Sequence, residues 1–443
     1  MEFQASKFQD FLINRVHQVG GSDIKIAVGS CHDSIRINNT IFKTVLDYNP
    51  DVYVWLGDAV YLDRGNKSFS FQKMRYVNVE KSFEQKQAIF DITFNDWYYK
   101  QMKETFPIIG VWDDHDLGLD NSGKEYKNKY VQKQMYLDFI QEPQNSSRRI
   151  DNKLYEGVYQ DYQVINKEQN LKVHVILLDV RFNMEPDIDV LGVSQWSWLS
   201  QKLEESYKNE SDVILIGSGI QFLNYDNFFL SEAWDQHSRL KLLQLLISNN
   251  LAHKTIFMSG DVHYSQFLRT PCKSAFLNQH FHEFSSSGMT HNCLTSEYNC
   301  RGLLEQVYTN IWKDSSYYMY YNFVGVEVKR IDGDFIQVDM SIISNNGSKM
   351  INKTIQIQQE QLINAQHLYN KGTINYCQHR VTQRRELNFF LTWMNAIIVH
   401  KSDYILSFYI GWYSLKWSLQ LAFIIWTMRN LQRSLSFIMQ KLN

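Results

Sequence analysis

Short apolar runs, many rich in β-branched residues, recur along the first part of the chain between longer mixed stretches. Ile24–Ser30, Val52–Leu56, Ile108–Trp112, Val173–Leu178, Val213–Ile216 and Thr255–Met258 carry few polar side chains, as strands buried on both faces do. The intervening patterns predict helices over Phe71–Phe90, Asp96–Thr105, Lys124–Ile140, Ser194–Tyr207 and Ser238–Leu251. Ser194 reads as an N-cap ahead of an apolar stripe through Trp198, Leu199 and Leu203. Further on, Glu283–Ser287, Phe323–Lys329 and Phe335–Ile343 alternate in part, which suits antiparallel strands. Strand–helix alternation followed by late antiparallel strands predicts an α/β layered sandwich. In such sheets a ligand sits beyond the carboxyl ends of the strands, so the polar residues ending the early strands should share one crevice.

After about Glu360 the pattern changes. Tyr404–Met428 carries one charge, Lys416, and is long enough to cross the ~30 Å hydrocarbon layer of a bilayer. Ser407, Gly411, Ser414 and Ser418 fall on one helical face, as in closely packed membrane helices. Arg384, Arg385 and Lys401 precede the segment and Arg429, Arg433 and Lys441 follow it, so charge does not fix its orientation. A helical, membrane-inserted tail is the expectation; an amphipathic helix covering a soluble core is the alternative. The first twenty residues lack a basic region followed by an apolar core, so no secretory signal is read there.

A chain of 443 residues holds one domain of about 350 residues or two of ordinary size, and no Pro/Gly/Ser-rich linker divides it. A net charge of −2 exerts no global pull on nucleic acid or anionic lipid, so any anion binding is local. Five cysteines without a Cys-x-x-Cys pair exclude neither free thiols nor a Cys293–Cys300 disulfide, but give no structural zinc site.

Four polar clusters follow apolar runs: Gly29-Ser30-Cys31-His32, Gly57-Asp58-Ala59-Val60-Tyr61, Trp112-Asp113-Asp114-His115-Asp116 and Ser259-Gly260-Asp261-Val262-His263. Any one Gly-Asp is a weak signal, since Asp often closes a turn. Adjacent carboxylates at Asp113, Asp114 and Asp116 are different: they repel unless a cation or a strong hydrogen-bond network holds them. A polyvalent metal is the simplest explanation.

These motifs, with Leu178-Asp179-Val180-Arg181 and Gly217-Ser218-Gly219-Ile220-Gln221-Phe222, resemble the PhoD-type alkaline phosphatases of the calcineurin-like metallophosphoesterase superfamily. The resemblance covers about Ile24–Gly288. It implies a four-layer α/β/β/α sandwich; the chain then divides into an N-terminal extension at 1–23, a catalytic domain at 24–358 and the helical tail at 359–443, for which the resemblance offers no counterpart. It also implies a metal set of Cys31, Asp58, Tyr61, Asp114, Asp261 and His263, with Asp58 bridging two ions and His115 facing the substrate. Asp113 and Asp116 are further ligands or supports, and Arg181 a clamp on phosphate or else a surface ion pair. A thiolate, phenolate, imidazole and carboxylate suit a ferric ion, while an oxygen-only partner site suits a hard divalent cation. The resemblance favours a binuclear or trinuclear centre of Fe3+ with Ca2+; Mg2+, Mn2+ and Zn2+ are compatible. The function it implies is hydrolysis of a phosphoric mono- or diester by a metal-bridging hydroxide in line with phosphorus. The partners are then a small phosphoester or a phospholipid, a membrane through residues 404–428, and no specific nucleic acid. A Cys31-dependent hydrolase and an inactive membrane-anchored scaffold of the same fold are the alternatives.

Overall fold

The structure is a computed structural model that describes residues 5–35, 40–65, 67–70, 75–149, 155–224, 232–270, 280–293, 313–332 and 335–358. Its strands are β1 Val16–Val19, β2 Ile24–Gly29, β3 Val52–Leu56, β4 Lys67–Ser70, β5 Arg75–Asn78, β6 Ile108–Val111, β7 Gln160–Asn166 and β8 Leu171–Leu178. They continue with β9 Val213–Ser218, β10 Thr255–Ser259, β11 Ser265–Arg269, β12 His282–Ser285, β13 Lys313–Tyr318, β14 Asn322–Asp332, β15 Phe335–Ser344 and β16 Lys349–Gln358. One sheet runs β1-β7-β8-β9-β10-β12-β11-β13 and the other β16-β15-β14-β2-β3-β6; β4 and β5 form a separate hairpin. The inner strands β8, β9, β10 and β12 are parallel in the first sheet, as are β2, β3 and β6 in the second.

Alternation along β8 and β9 shows how the layers stack. Val173, Val175, Leu177, Val213 and Leu215 join the main core together with residues of the second sheet, Val54 and Leu56 among them. Their neighbours Ile176, Leu178, Ile214 and Ile216 face the other way, onto Trp196, Leu199 and Leu203 of the helix Gly192–Lys208 and Leu242 and Leu246 of the helix Gln236–Ser248. The period-two geometry of a strand thus supplies a sheet-on-sheet core and a helix-covered outer face from one sequence. The sheets meet closely: a Cβ on Gly217 would lie 2.7 Å from Leu56 of the opposite sheet. On the far side of the second sheet, Phe42 of the helix Ile41–Tyr48 packs edge-on against Trp55.

The six early strands and the late strands at 323–329 and 335–343 stand where the pattern puts them, and the helix Trp97–Thr105 follows its Asp96 cap. Two helices need correction. Phe71–Phe90 is not one helix: Arg75–Asn78 is the second strand of the hairpin, and the helix is Phe83–Phe94. A capping box at Ser82, with Gln85 as its partner, sets that start. Ser194 is not a cap either, because the helix begins at Gly192 and Asp189 accepts the N–H groups of Leu191 and Gly192. Ahead of Ile24, β1 joins the first sheet by parallel pairing with β7. The tail from 359, with the segment 404–428, lies outside the described residues. Among the described residues no helix is long and apolar enough to cross a membrane.

Candidate metal centre

The parallel strands of both sheets end at one place. β2 runs into Ser30-Cys31, β3 into Gly57-Asp58, β6 into Asp113–Asp116 and β10 into Gly260-Asp261. The loops are tied by backbone bonds, His32 N–H to Asp58 C=O at 2.7 Å and Gly57 N–H to Val111 C=O at 2.9 Å. Gly57 has φ +81°, and a Cβ there would meet Asp113 Cβ at 2.3 Å, so only glycine lets these two loops touch. Cys31, Asp58, Asp261 and His263 hold left-handed φ values of 58°, 50°, 68° and 60°. Non-glycine residues in that region are strained, and such strain clusters at functional sites.

Two groups of metal-type donors result. Donor atoms of Cys31, Asp58 and His263 lie within 4.8 Å of one another, and so do those of Asp58, Asp114 and His115. Asp58 belongs to both, as a bridging carboxylate would. Tyr61 adds its hydroxyl at 3.1 Å from His263 Nε2. Asp261 stands outside both tight groups yet acts electrostatically on Asp113, Asp114 and Cys31. The structure therefore brings together every residue expected as a ligand except Asp261, which flanks the rest.

Negative charge dominates. Burial pushes Asp58 well above the usual carboxylate range, and Asp114, Asp113 and Asp116 add to it while His115 opposes. Asp261 is likewise pushed up by burial and then by Asp113, Glu232 and Asp114. Burial also lifts Asp113 to about 6 and Asp116 to about 8. Asp114 is the exception: against its burial, His115, Arg181 and the Asn121 N–H at 2.6 Å hold it low. His115 is pushed well up despite burial, by Asp114, Asp63 and Asp58. Oδ1 of Asp58, Oδ1 of Asp114 and Oδ2 of Asp261 are buried and accept no hydrogen bond. Buried carboxylate oxygens of this kind are costly unless a cation takes them. A polynuclear cation site fits these residues on that ground.

The neighbours have separate tasks. Asp116 accepts the N–H groups of Val60 at 3.0 Å and Asp113 at 3.1 Å, binding the second motif to the third. Arg181 is no surface residue: fully buried, it donates from Nε to Asp113, pairs with Glu232, and faces Asp114 at 3.6 Å. Sequence reasoning missed Asp63, whose carboxylate holds His115 Nδ1 at 2.7 Å and the Asp120 N–H at 2.8 Å. It also passed over His291, which stacks on His263 with ring centres 4.1 Å apart and lies 4.6 Å from the Tyr61 ring. Neither has a motif spacing that marks it; only the fold brings them in.

One other constellation resembles catalytic machinery. Ser206 Oγ is 2.6 Å from His174 Nδ1, and His174 Nε2 is 3.0 Å from Asp161. Ser206 and His174 are wholly buried, and the Ser206 hydroxyl donates to Lys202 C=O at 2.8 Å. With its proton spent on the backbone and no access for substrate, this chain of residues supports β7, β8 and the helix behind them.

No family model and no curated protein matches the sequence. Solved structures do match. A structure of PhoD superposes with a TM-score of 0.57 at 17% identity, covering 77% of this chain and 71% of that one. Purple acid phosphatase PPD1 from yellow lupin (Lupinus luteus) gives 0.49 at 11% identity, over 76% of this chain and 54% of that one. The first likeness establishes the fold, and it is the fold that the motifs Trp112–Asp116 and Gly260–His263 led us to expect.

Proposed function

We propose that the chain is a metal-dependent phosphoric ester hydrolase, a PhoD-like phosphatase or phosphodiesterase. The observation that carries this reading is Asp58, common to two adjacent sets of donor atoms in a pocket with a surplus of buried carboxylate oxygen. Cys31, Tyr61 and His263 with Asp58 would hold one ion and suit Fe3+. Asp58, Asp114 and Asp261 would hold the other and suit Ca2+, Mg2+ or Mn2+. Adjacent cations there would supply Lewis acidity toward phosphate oxygens and a nucleophile at neutral pH.

The protein's own groups do the rest. His115, its Nδ1 held by the Asp63 carboxylate, would protonate the leaving oxygen. Arg181 compensates charge among Asp113, Asp114 and Glu232; a phosphate would reach its guanidinium only by displacing Glu232. Tethering through 404–428 belongs to the same proposal and would bring phospholipid diesters within reach.

A Cys31 hydrolase is disfavoured by chemistry. The thiol is fully buried, and burial and then Asp58 push it well above its usual value, the reverse of an activated nucleophile. The test is elemental analysis of the purified full chain, paired with a screen of phosphomonoesters and phosphodiesters. Metal near stoichiometry and a chelator-sensitive esterase are expected; a metal-free protein without activity would favour the scaffold. Asp58→Ala and Asp261→Ala should lose turnover while staying folded, and near-normal rates in either would remove that residue from the site.

A further inference from the structure

The two halves of the centre come from different sheets, and one segment, Ser285–Cys293, binds them. Toward the second sheet, Ser286 Oγ donates to Val28 C=O at 2.5 Å and the Ser286 carbonyl accepts Ser30 Oγ at 2.7 Å. The N–H groups of Thr290 and His291 donate to the Cys31 carbonyl at 3.2 and 2.9 Å. Toward the first sheet, Ser286 N–H donates to Ser259 C=O and Cys293 N–H to His263 C=O, both at 2.8 Å. Between these anchors sits Ser287, wholly buried.

Its hydroxyl has two neighbours, and their chemistry fixes its direction. The His263 backbone N–H, at 2.7 Å, can only donate, so Ser287 Oγ accepts it. The hydroxyl proton then needs an acceptor of its own, because a buried donor left unmade is costly. Cys31 Sγ stands 3.0 Å away. Two other hydroxyls stand near that sulfur: Ser30, farther off at 3.5 Å, already gives its proton to Ser286 C=O, and Tyr61 also lies 3.1 Å from His263 Nε2.

We propose that Ser287 is a positioning residue: one hydroxyl fixes the His263 loop and donates to the Cys31 sulfur, presetting two ligands from two sheets for one ion. The inference rests on the metal reading given above and adds to it the residue that sets the geometry. Groups that orient metal ligands in this way typically cost about 10–100-fold in metal affinity when removed.

The full chain loaded with Co2+ tests it. The wild type should show near-ultraviolet sulfur-to-cobalt absorption that Cys31→Ser abolishes. Ser287→Ala should shift that band to lower energy, because the sulfur loses a hydrogen bond, and release Co2+ to excess chelator about 10–100-fold faster. Ser287→Thr, which keeps the hydroxyl, should restore both. Melting of the chelated proteins checks that the alanine variant folds; if it does not, Ser287→Cys, a weaker donor of similar shape, should move both readings in the same direction. A folded Ala or Cys variant with the wild-type band and release rate overturns the role of Ser287 alone. A wild type with no Cys31-dependent band overturns the metal reading and this inference with it.

Discussion

Replacing Asp58 by asparagine should stabilise the metal-free protein while destroying its activity. Oδ1 is buried without a hydrogen-bond partner, and Oδ2 faces the Cys31 sulfur at 3.6 Å. Burial, then Asp114, Asp113 and Asp116, raise its pKa well above the usual range, with only His115 opposing. A carboxyl whose folded-state pKa is raised contributes stability that is whole below its unfolded pKa, near 4. That stability is lost as the pH climbs through the folded value. Asparagine has nothing to titrate, so the advantage of the variant should widen between pH 5 and pH 8. Between the unfolded and the folded pKa, each pH unit takes about 1.4 kcal/mol from the wild type and nothing from the variant. At ~2.1 cal/mol/K per residue over the roughly 300 described residues, each kcal/mol moves Tm by about 1.6 °C. Calorimetry of the chelated proteins should thus show the Tm of Asp58→Asn gaining about 2 °C on wild type for each pH unit climbed between pH 5 and pH 8. With metal restored the order should reverse, because only the wild type gains by binding, and turnover of the variant should fall by about 1000-fold or more. If chelated Asp58→Asn melts below chelated wild type at pH 8, or hydrolyses phosphoesters at near-normal rate, the surplus of buried charge is not what organises the site.

Three further outcomes follow from the same geometry. Chelation should abolish turnover at once, whereas thiol alkylation should act only on the time course of unfolding, since Cys31 is buried; fast inactivation by an alkylator at constant metal content would restore the cysteine mechanism. Asp63→Asn should lower kcat by about 10–100-fold with little change in KM and shift the basic limb of the pH–rate profile to lower pH, because it removes the carboxylate that orients His115 and helps it hold its proton; an unchanged profile would remove His115 from proton transfer. Ser206→Ala should leave kcat/KM intact and cost about 1 kcal/mol of stability; loss of activity in a folded protein would make the Ser206–His174–Asp161 chain functional after all.

How much of this was legible in the sequence depends on what kind of signal each part left. Strands buried on both faces announce themselves by composition, and Val52–Leu56 and Thr255–Met258 are found where expected. β7 was missed because Gln160 and Asp161 interrupt its apolar character. Both are buried, Asp161 paired through Oδ2 with His174 on the neighbouring β8, and no local pattern encodes that partner. The false helix at Phe71–Phe90 came from taking a mixed run for a helical face; the capping box at Ser82 shows where the periodic segment begins. In the site, the candidate ligands stood out because several titratable residues follow apolar runs. Asp63, Glu232, Ser287 and His291 carry single common residue types whose meaning arises only when the two sheets meet.

Backbone and charge at the centre tell one story. Cys31, Asp58, Asp261 and His263 each hold a left-handed conformation that costs about 1–3 kcal/mol at a non-glycine residue. Burial and mutual repulsion raise Asp58 and Asp261. Neither cost serves the packing of the sheets, whose core is complete without these side chains. Loops crossed by the Ser285–Cys293 segment hold the donors in place all the same. On the metal reading, cations at such a site would relieve the repulsion while the rest of the fold holds the donors. That is why removing one buried carboxylate should raise stability and lower activity together. A merely structural acidic cluster tied by its own hydrogen bonds would lose both.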